Sequence, residues 1–239
     1  MMIDKRIGSA LAAIIFCLTS VVAQQPNSEA MRWRYIGPVG NRTTSIAGVP
    51  GQPYIYYAGS ASGGIFKTTD GGIHWDAIFD SQPVSSIGSV AVAPSDPNVV
   101  WAGTGEAWIR SHISVGQGIY KSTDAGRTWT SLSATLPKNG PVWAVAEDHV
   151  NANLLFTGTE FGLFFSVDGG QKWVQLKGGM PVIAVRDLNI QKRENDLVVA
   201  TFGRGIYILD NYTPLRSIKP ETLRQDAAVF PVKDALMYI

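Results

Sequence analysis

Ser122-Thr123-Asp124-Ala125-Gly126-Arg127-Thr128-Trp129 decides the fold, because its spacing returns twice more. The other copies are Thr68-Thr69-Asp70-Gly71-Gly72-Ile73-His74-Trp75 and Ser166-Val167-Asp168-Gly169-Gly170-Gln171-Lys172-Trp173. The pattern Ser/Thr-x-Asp-x-Gly-x-x-Trp suits a tight hairpin. The acids Asp70, Asp124 and Asp168 accept backbone N–H groups of their own turn, and Gly72, Gly126 and Gly170 supply a positive φ. Trp75, Trp129 and Trp173 each cover a turn with a large apolar face.

Working outward, each copy follows a Gly-Ile-Tyr-like strand. These strands begin at Gly64, Gly118, Gly162 and Gly205, which lie 54, 44 and 43 residues apart. Upstream of three of them stands a strand ending in Ala58-Gly59-Ser60, Ala102-Gly103-Thr104 or Thr157-Gly158-Thr159. In the second unit Pro94-Ser95-Asp96-Pro97-Asn98 reverses the chain between the first two strands. After each Trp a short fourth strand is expected, from Trp75, Trp129 and Trp173 to Ile78, Leu132 and Leu176. A repeat of this length with four short strands is one blade of a β-propeller.

The expected fold is therefore all-β, a propeller of about four four-stranded blades. Trp33-Arg34-Tyr35-Ile36 is a Trp strand without a blade of its own, and the last unit runs through Asp210-Asn211 without reaching a Trp. Two arrangements are compatible with this. The N-terminal strand completes the last blade and closes a ring, removing exposed sheet edges, or the units form an open arc of a larger propeller.

Composition agrees with many short strands joined by turns. Among 239 residues there are 25 Gly and 13 Pro, with 45% hydrophobic and only 16% charged. The net charge of +1 without a Lys/Arg run excludes the footprint of a nucleic-acid binder. Lys5-Arg6, an apolar run from Ile7 to Val22 and small residues at Val21 and Ala23 predict a signal peptide over residues 1–23, cleaved near Ala23. The run of 16 residues is short for a bilayer span, so the mature protein is expected to be periplasmic or extracellular without a membrane span. Residues 24–32 read as a linker, 33–216 as the repeats, and 217–239 as a C-terminal extension, shortened or truncated. Cys17 is the sole cysteine, and the three histidines at 74, 112 and 149 form no close pair. No metal site and no cofactor are expected.

The three turns resemble the Asp boxes of BNR-repeat proteins. The run from Trp33 to Arg216 is similar to the sortilin-type propellers of large exported bacterial proteins, notably at Thr159-Glu160-Phe161-Gly162-Leu163 and Gly203-Arg204-Gly205-Ile206-Tyr207-Ile208-Leu209-Asp210. Relatives of that group have more blades, so the resemblance implies a shortened or incomplete form of a two-propeller protein. Asp-box kinship also brings sialidases and xyloglucanases into view, and with them a glycoside hydrolase. Where xyloglucanases carry a catalytic Asp before a Gly-Gly pair, the stretch Gly59-Ser60-Ala61-Ser62-Gly63-Gly64 has Ala61. The Arg-Ile-Pro opening of sialidases is absent.

No catalytic residue is assigned. The leading expectation is a non-catalytic binding or scaffold propeller for a peptide, protein or glycan. The face formed by loops between second and third strands, together with the starts of first strands, carries loop function by position. It gathers the candidate ligand-binding residues Arg42, Glu106, Trp108, Arg110, His112, Glu160 and Arg204, and the longest such loop is Gly105 to Gln117. The acids of the Asp boxes fall on the opposite rim and have a structural role. Glu147, Asp148 and Asp187 are expected as channel polar groups or as solvated turn acids.

Overall fold

A computed structural model describes residues 42–108, 114–219 and 221–230, all within one compact unit, Ile36–Ile239. The expected Trp33–Ile36 strand, the signal segment, and the candidates Arg110 and His112 lie outside the described residues.

The first sheet comprises β1 (Thr43–Val49), β2 (Gln52–Ser60), β3 (Ile65–Thr68) and β4 (Asp76–Ala77). The second comprises β5 (Ile87–Val92), β6 (Val100–Thr104), β7 (Ile119–Ser122) and β8 (Thr130–Ser131). β9 (Val142–Glu147), β10 (Leu155–Thr159), β11 (Gly162–Ser166) and β12 (Val174–Gln175) form the third. β13 (Val185–Gln191), β14 (Asp196–Thr201) and β15 (Ile206–Leu209) form the last, three-stranded among the described residues. Every sheet is an antiparallel meander in sequence order, so each is one propeller blade. The second strands end at Ser60, Thr104 and Thr159, as the repeat predicts.

The first strands pack in series, β1 against β5, β5 against β9 and β9 against β13. The core therefore lies between blades. Tyr57, Ile65 and Phe79 of blade 1 meet Ile87, Val100 and Tyr120 of blade 2. Trp101 and Ile119 of blade 2 meet Val142, Leu155 and Phe164 of blade 3, and Phe156 and Leu163 meet Val185, Leu197 and Val199 of blade 4. Blades 1 to 3 each bury one face against the next, the dependence expected in a repeat protein.

Two rims are distinguishable by their backbone bonds. On one, the turn after each third strand rests on the turn between the first two: Gly71 N–H donates to the Tyr54 carbonyl (2.9 Å), Ala125 to Asn98 (2.8 Å) and Gly169 to Asn153 (3.0 Å). On the other, the segment after each second strand bonds the approach to a first strand. There Ala61 N–H donates to Arg42 (3.0 Å), Gly105 to Ser86 (2.9 Å), Glu160 to Pro141 (3.3 Å) and Phe202 to Ala184 (2.9 Å).

Candidate binding site

On the first rim the three Asp turns are built alike. Ser122 Oγ donates to Asp124 Oδ1 (2.8 Å) and accepts from Gly126 N–H (2.8 Å), while Asp124 Oδ1 accepts from Thr128 N–H (2.8 Å). Thr68, Asp70, Gly72 and His74 repeat the set, as do Ser166, Asp168, Gly170 and Lys172. Bonds from the Thr128 hydroxyl and backbone N–H, with one from Ser122, pull the Asp124 carboxyl down to about 2. Asp70 is driven lower by the backbone N–H and the ring of His74. A side chain at Gly126 is disfavoured by its φ of 90°, and it would also require the end of the Ile78 side chain to shift. Two of the tryptophans reach the blade before their own. Trp129 Nε1 donates to the Ile78 carbonyl of blade 1, and Trp173 Nε1 to Leu132 of blade 2, each at 2.9 Å. Both latch one blade onto the one before.

Blade 4 keeps this rim by other means. Tyr212 N–H takes the place of the Gly169 N–H, donating to the Asn195 carbonyl (2.9 Å), and the Tyr212 ring packs edge-on to Phe156 at 5.2 Å. Its hydroxyl donates to Asp148 Oδ1 (2.5 Å), and Arg216 holds both oxygens of that carboxylate at 2.8 Å. The expectation of Asp148 in the channel or in solvent is corrected here, because its side chain is wholly buried in this clasp. Burial pushes its carboxyl up, but the Arg216, Tyr212 and Asn151 hydrogen bonds outweigh it and leave the group below its ordinary range. Glu147 is also buried, accepting from Ser95 N–H (3.3 Å) and Trp101 Nε1 (3.4 Å). Asp187 is exposed, as a solvated acid.

On the opposite rim all four first strands share one irregularity. Pairing slips between Thr43 and Ser45, Ile87 and Ser89, Val142 and Ala144, and Val185 and Asp187. The unpaired residues are Thr44, Gly88, Trp143 and Arg186. A bulge at the start of a strand re-aims its side chain. These four residues, with Ala107, Trp108 and Phe202 from the neighbouring loops, line a cavity of about 500 Å³. One residue from every first strand reaches it, which places the cavity on the propeller axis.

Its walls have uneven chemistry. The Arg186 guanidinium lies 3.8 Å from the centre of the Trp143 ring and 5.0 Å from that of Phe202, close enough for cation–π attraction to both. Arg186 Nη1 donates to the Ala107 carbonyl at 2.6 Å and so ties down the loop that carries Trp108. Trp108 and Phe202 are each 60% exposed, whereas Trp143 is 8% exposed. Gly88 is required where blades 2 and 3 meet, since a Cβ there would stand 2.5 Å from the Val142 carbonyl oxygen.

Of the expected site residues, Trp108 lines the cavity. Arg42 is on the same rim but pairs with Glu106 at 3.1 Å, and the Glu106 side chain has no exposure. Glu160 and Arg204 are exposed on this rim and do not line the cavity. Trp143, Arg186 and Phe202 are additions that the motifs do not point to. A signal exists nonetheless: Thr44, Gly88 and Trp143 each stand fifteen positions before Gly59, Gly103 and Gly158, so aligning the units exposes the bulge position.

Among the described residues no three His, Cys, Asp or Glu side chains gather as a metal site, and no helix is long and apolar enough to cross a membrane.

The blades and their axial cavity define an all-β propeller. Comparison with known proteins agrees at the level of fold. No family model matches the chain, and no curated protein matches it in sequence. Among solved structures it is similar to the GH74 xyloglucanase from Xanthomonas campestris, at 17% identity and TM-score 0.55 over 78% of this chain and 31% of that one. A GH74 enzyme from Niastella koreensis matches at 20% identity and TM-score 0.57, over 72% of this chain and 29% of that one. YCF48 bound to D1 peptide matches at 16% identity and TM-score 0.52, over 76% and 57% respectively. The chain thus spans less than two thirds of the length of each.

Proposed function

We propose that the protein is a non-catalytic binding or scaffold module that takes a peptide, or a segment of another protein, into the axial cavity. The observation that carries this reading is the convergence of Thr44, Gly88, Trp143 and Arg186, one bulge residue from each blade, on a cavity with exposed aromatic side chains at its mouth. Concave sites with aromatic walls and a few placed polar groups are the usual form of a ligand site. The likeness to YCF48, whose structure holds the D1 peptide, favours a peptide.

A glycan is the second reading, favoured by the flat faces of Trp108 and Phe202 and by the GH74 neighbours. Most glycoside hydrolases flank the bond with two carboxyl groups, and the described lining of this cavity supplies Thr, Gly, Ala, Trp, Arg and Phe, which favours binding over hydrolysis. Export by a signal peptide and kinship with BNR and sortilin-type propellers belong to the same proposal and rest on residues 1–23 and the Asp turns. The experiment is to apply the folded protein to peptide and glycan arrays and to a panel of polysaccharides and sialosides. Peptide binding weakened by Trp108→Ala, with no turnover, is expected. Turnover of a glycan, with no peptide bound, contradicts the proposal.

A further inference from the structure

We infer that the axial cavity recognises a carboxylate of its peptide ligand, and that Arg186 is the group that holds it. This rests on the peptide-binding reading above and adds the chemistry of the ligand.

Three arginines are half-buried among the described residues: Arg42, Arg186 and Arg216. Arg42 pairs with buried Glu106, and Arg216 with buried Asp148. Arg186 has no carboxylate partner among the described residues. Its Nη1 spends one bond on the Ala107 carbonyl, its Nη2 has no hydrogen-bond partner there, and its Nε is buried without one. Trp143 Nε1, beside it, is likewise buried without a hydrogen-bond partner. The guanidinium is half-buried, held by one carbonyl and two aromatic rings, and it keeps N–H donors for an anion. Two acids that adjoin this contact do not serve: Glu106, next to Ala107 in the chain, is turned to Arg42, and Asp187, next to Arg186, is exposed and bonds the Leu188 N–H.

The geometry favours a carboxylate as the missing partner. A guanidinium is a planar fork that matches the two oxygens of a carboxylate. Stacking on Trp143 and the bond to Ala107 fix that plane, so little conformational freedom is lost when an anion arrives. Trp108 and Phe202 at the mouth would flank the apolar stem or neighbouring residues of the same peptide. The carboxylate has two sources, an Asp or Glu side chain and the C-terminus of the peptide. An experiment separates them.

The full-length protein is applied to an array of N-acetylated random decapeptides, each present as C-terminal amide and as free acid. Every peptide containing Asp or Glu has a twin with Asn or Gln. Bound pairs are then titrated by fluorescence anisotropy. An acidic side chain as ligand predicts amidated acidic peptides at least tenfold tighter than their twins. A C-terminus as ligand predicts the same advantage of free acid over amide. In either case the advantage disappears in Arg186→Gln, is partly kept in Arg186→Lys, and shrinks severalfold at 0.5 M salt. Near-UV circular dichroism verifies that the variants fold; if Arg186→Gln does not, the twins and the Arg186→Lys variant decide. Peptides that bind equally well with and without a carboxylate overturn the inference and leave the peptide-binding reading standing. A folded protein that binds no peptide overturns both.

Discussion

The two rims of the propeller are made from the same repeat yet differ in what is repeated. On the Asp-turn rim the side chains themselves recur: Thr68, Ser122 and Ser166 bond Asp70, Asp124 and Asp168 in one pattern, and Trp129 and Trp173 latch successive blades. On the cavity rim only the backbone device recurs, a bulge near the start of each first strand. The residues it presents are Thr, Gly, Trp and Arg. Repetition marks what holds blades together. Departure from it, on a repeated scaffold, marks where a ligand can be told apart from another.

The comparison is most severely tested by removing a latch. Trp173 is 3% exposed and bonds Leu132 across the blade boundary, so Trp173→Ala should cost about 4 kcal/mol in chemical denaturation. Trp173→Phe should recover most of that and lose mainly the hydrogen bond, worth about 1 kcal/mol. A small loss in Trp173→Ala would show that this rim is not what joins the blades.

Next in size is the clasp of blade 4. Arg216→Ala leaves the buried Asp148 without its bidentate cation, with only the Tyr212, Val150 and Asn151 hydrogen bonds and nearby His149 to hold it, and an expected loss of about 3 kcal/mol. The double variant Arg216→Ala, Asp148→Asn should be more stable than Arg216→Ala alone, because the stranded charge is gone. Equal stabilities would mean that the clasp contributes by packing of Tyr212 alone.

Acid should act on the same rim. The Asp124 carboxyl sits at about 2 in the folded protein against an ordinary 3.8, and those of Asp70 and Asp148 are also lowered. A lowered folded value means that the unfolded state binds the proton more tightly. The stabilisation is therefore complete above about pH 4 and is lost as pH falls through the range toward 2. Urea midpoints measured from pH 6 to pH 2 should decline over that window, and Asp124→Asn should flatten the decline.

The smallest effect on stability belongs to the cavity rim. Trp108 is exposed, and Trp108→Ala should change unfolding free energy by no more than about 0.5 kcal/mol while weakening peptide binding.

The blades are legible in the sequence because the period and the Ser/Thr-x-Asp-x-Gly-x-x-Trp spacing are local: every bond within an Asp turn joins residues no more than four positions apart. The latches are half legible; Trp129 and Trp173 stand out, but their partners Ile78 and Leu132 lie 51 and 41 residues back. Asp148 escapes a correct reading for the same reason, since Arg216 is 68 residues away and the intervening blade brings them together. Trp108, singled out in the sequence, lines the cavity. Its floor stays hidden, because a bulge leaves no residue type behind it: Thr44, Gly88, Trp143 and Arg186 share a place and no chemistry. Glu106, a candidate ligand-binding residue in the sequence, is the buried partner of Arg42.

If the reading holds, the ligand enters the cavity rim and not the Asp-turn rim. A photoreactive benzophenone side chain placed at exposed Arg204, beside the cavity but outside its lining, reports on the cavity rim, and one at exposed Gln171 reports on the Asp-turn rim. Irradiated with a peptide selected by the wild-type protein, the variant labelled at 204 should form a crosslinked product that excess unlabelled peptide suppresses, and the variant labelled at 171 should form none. Competed crosslinking at 171, with none at 204, would contradict this assignment of the rims.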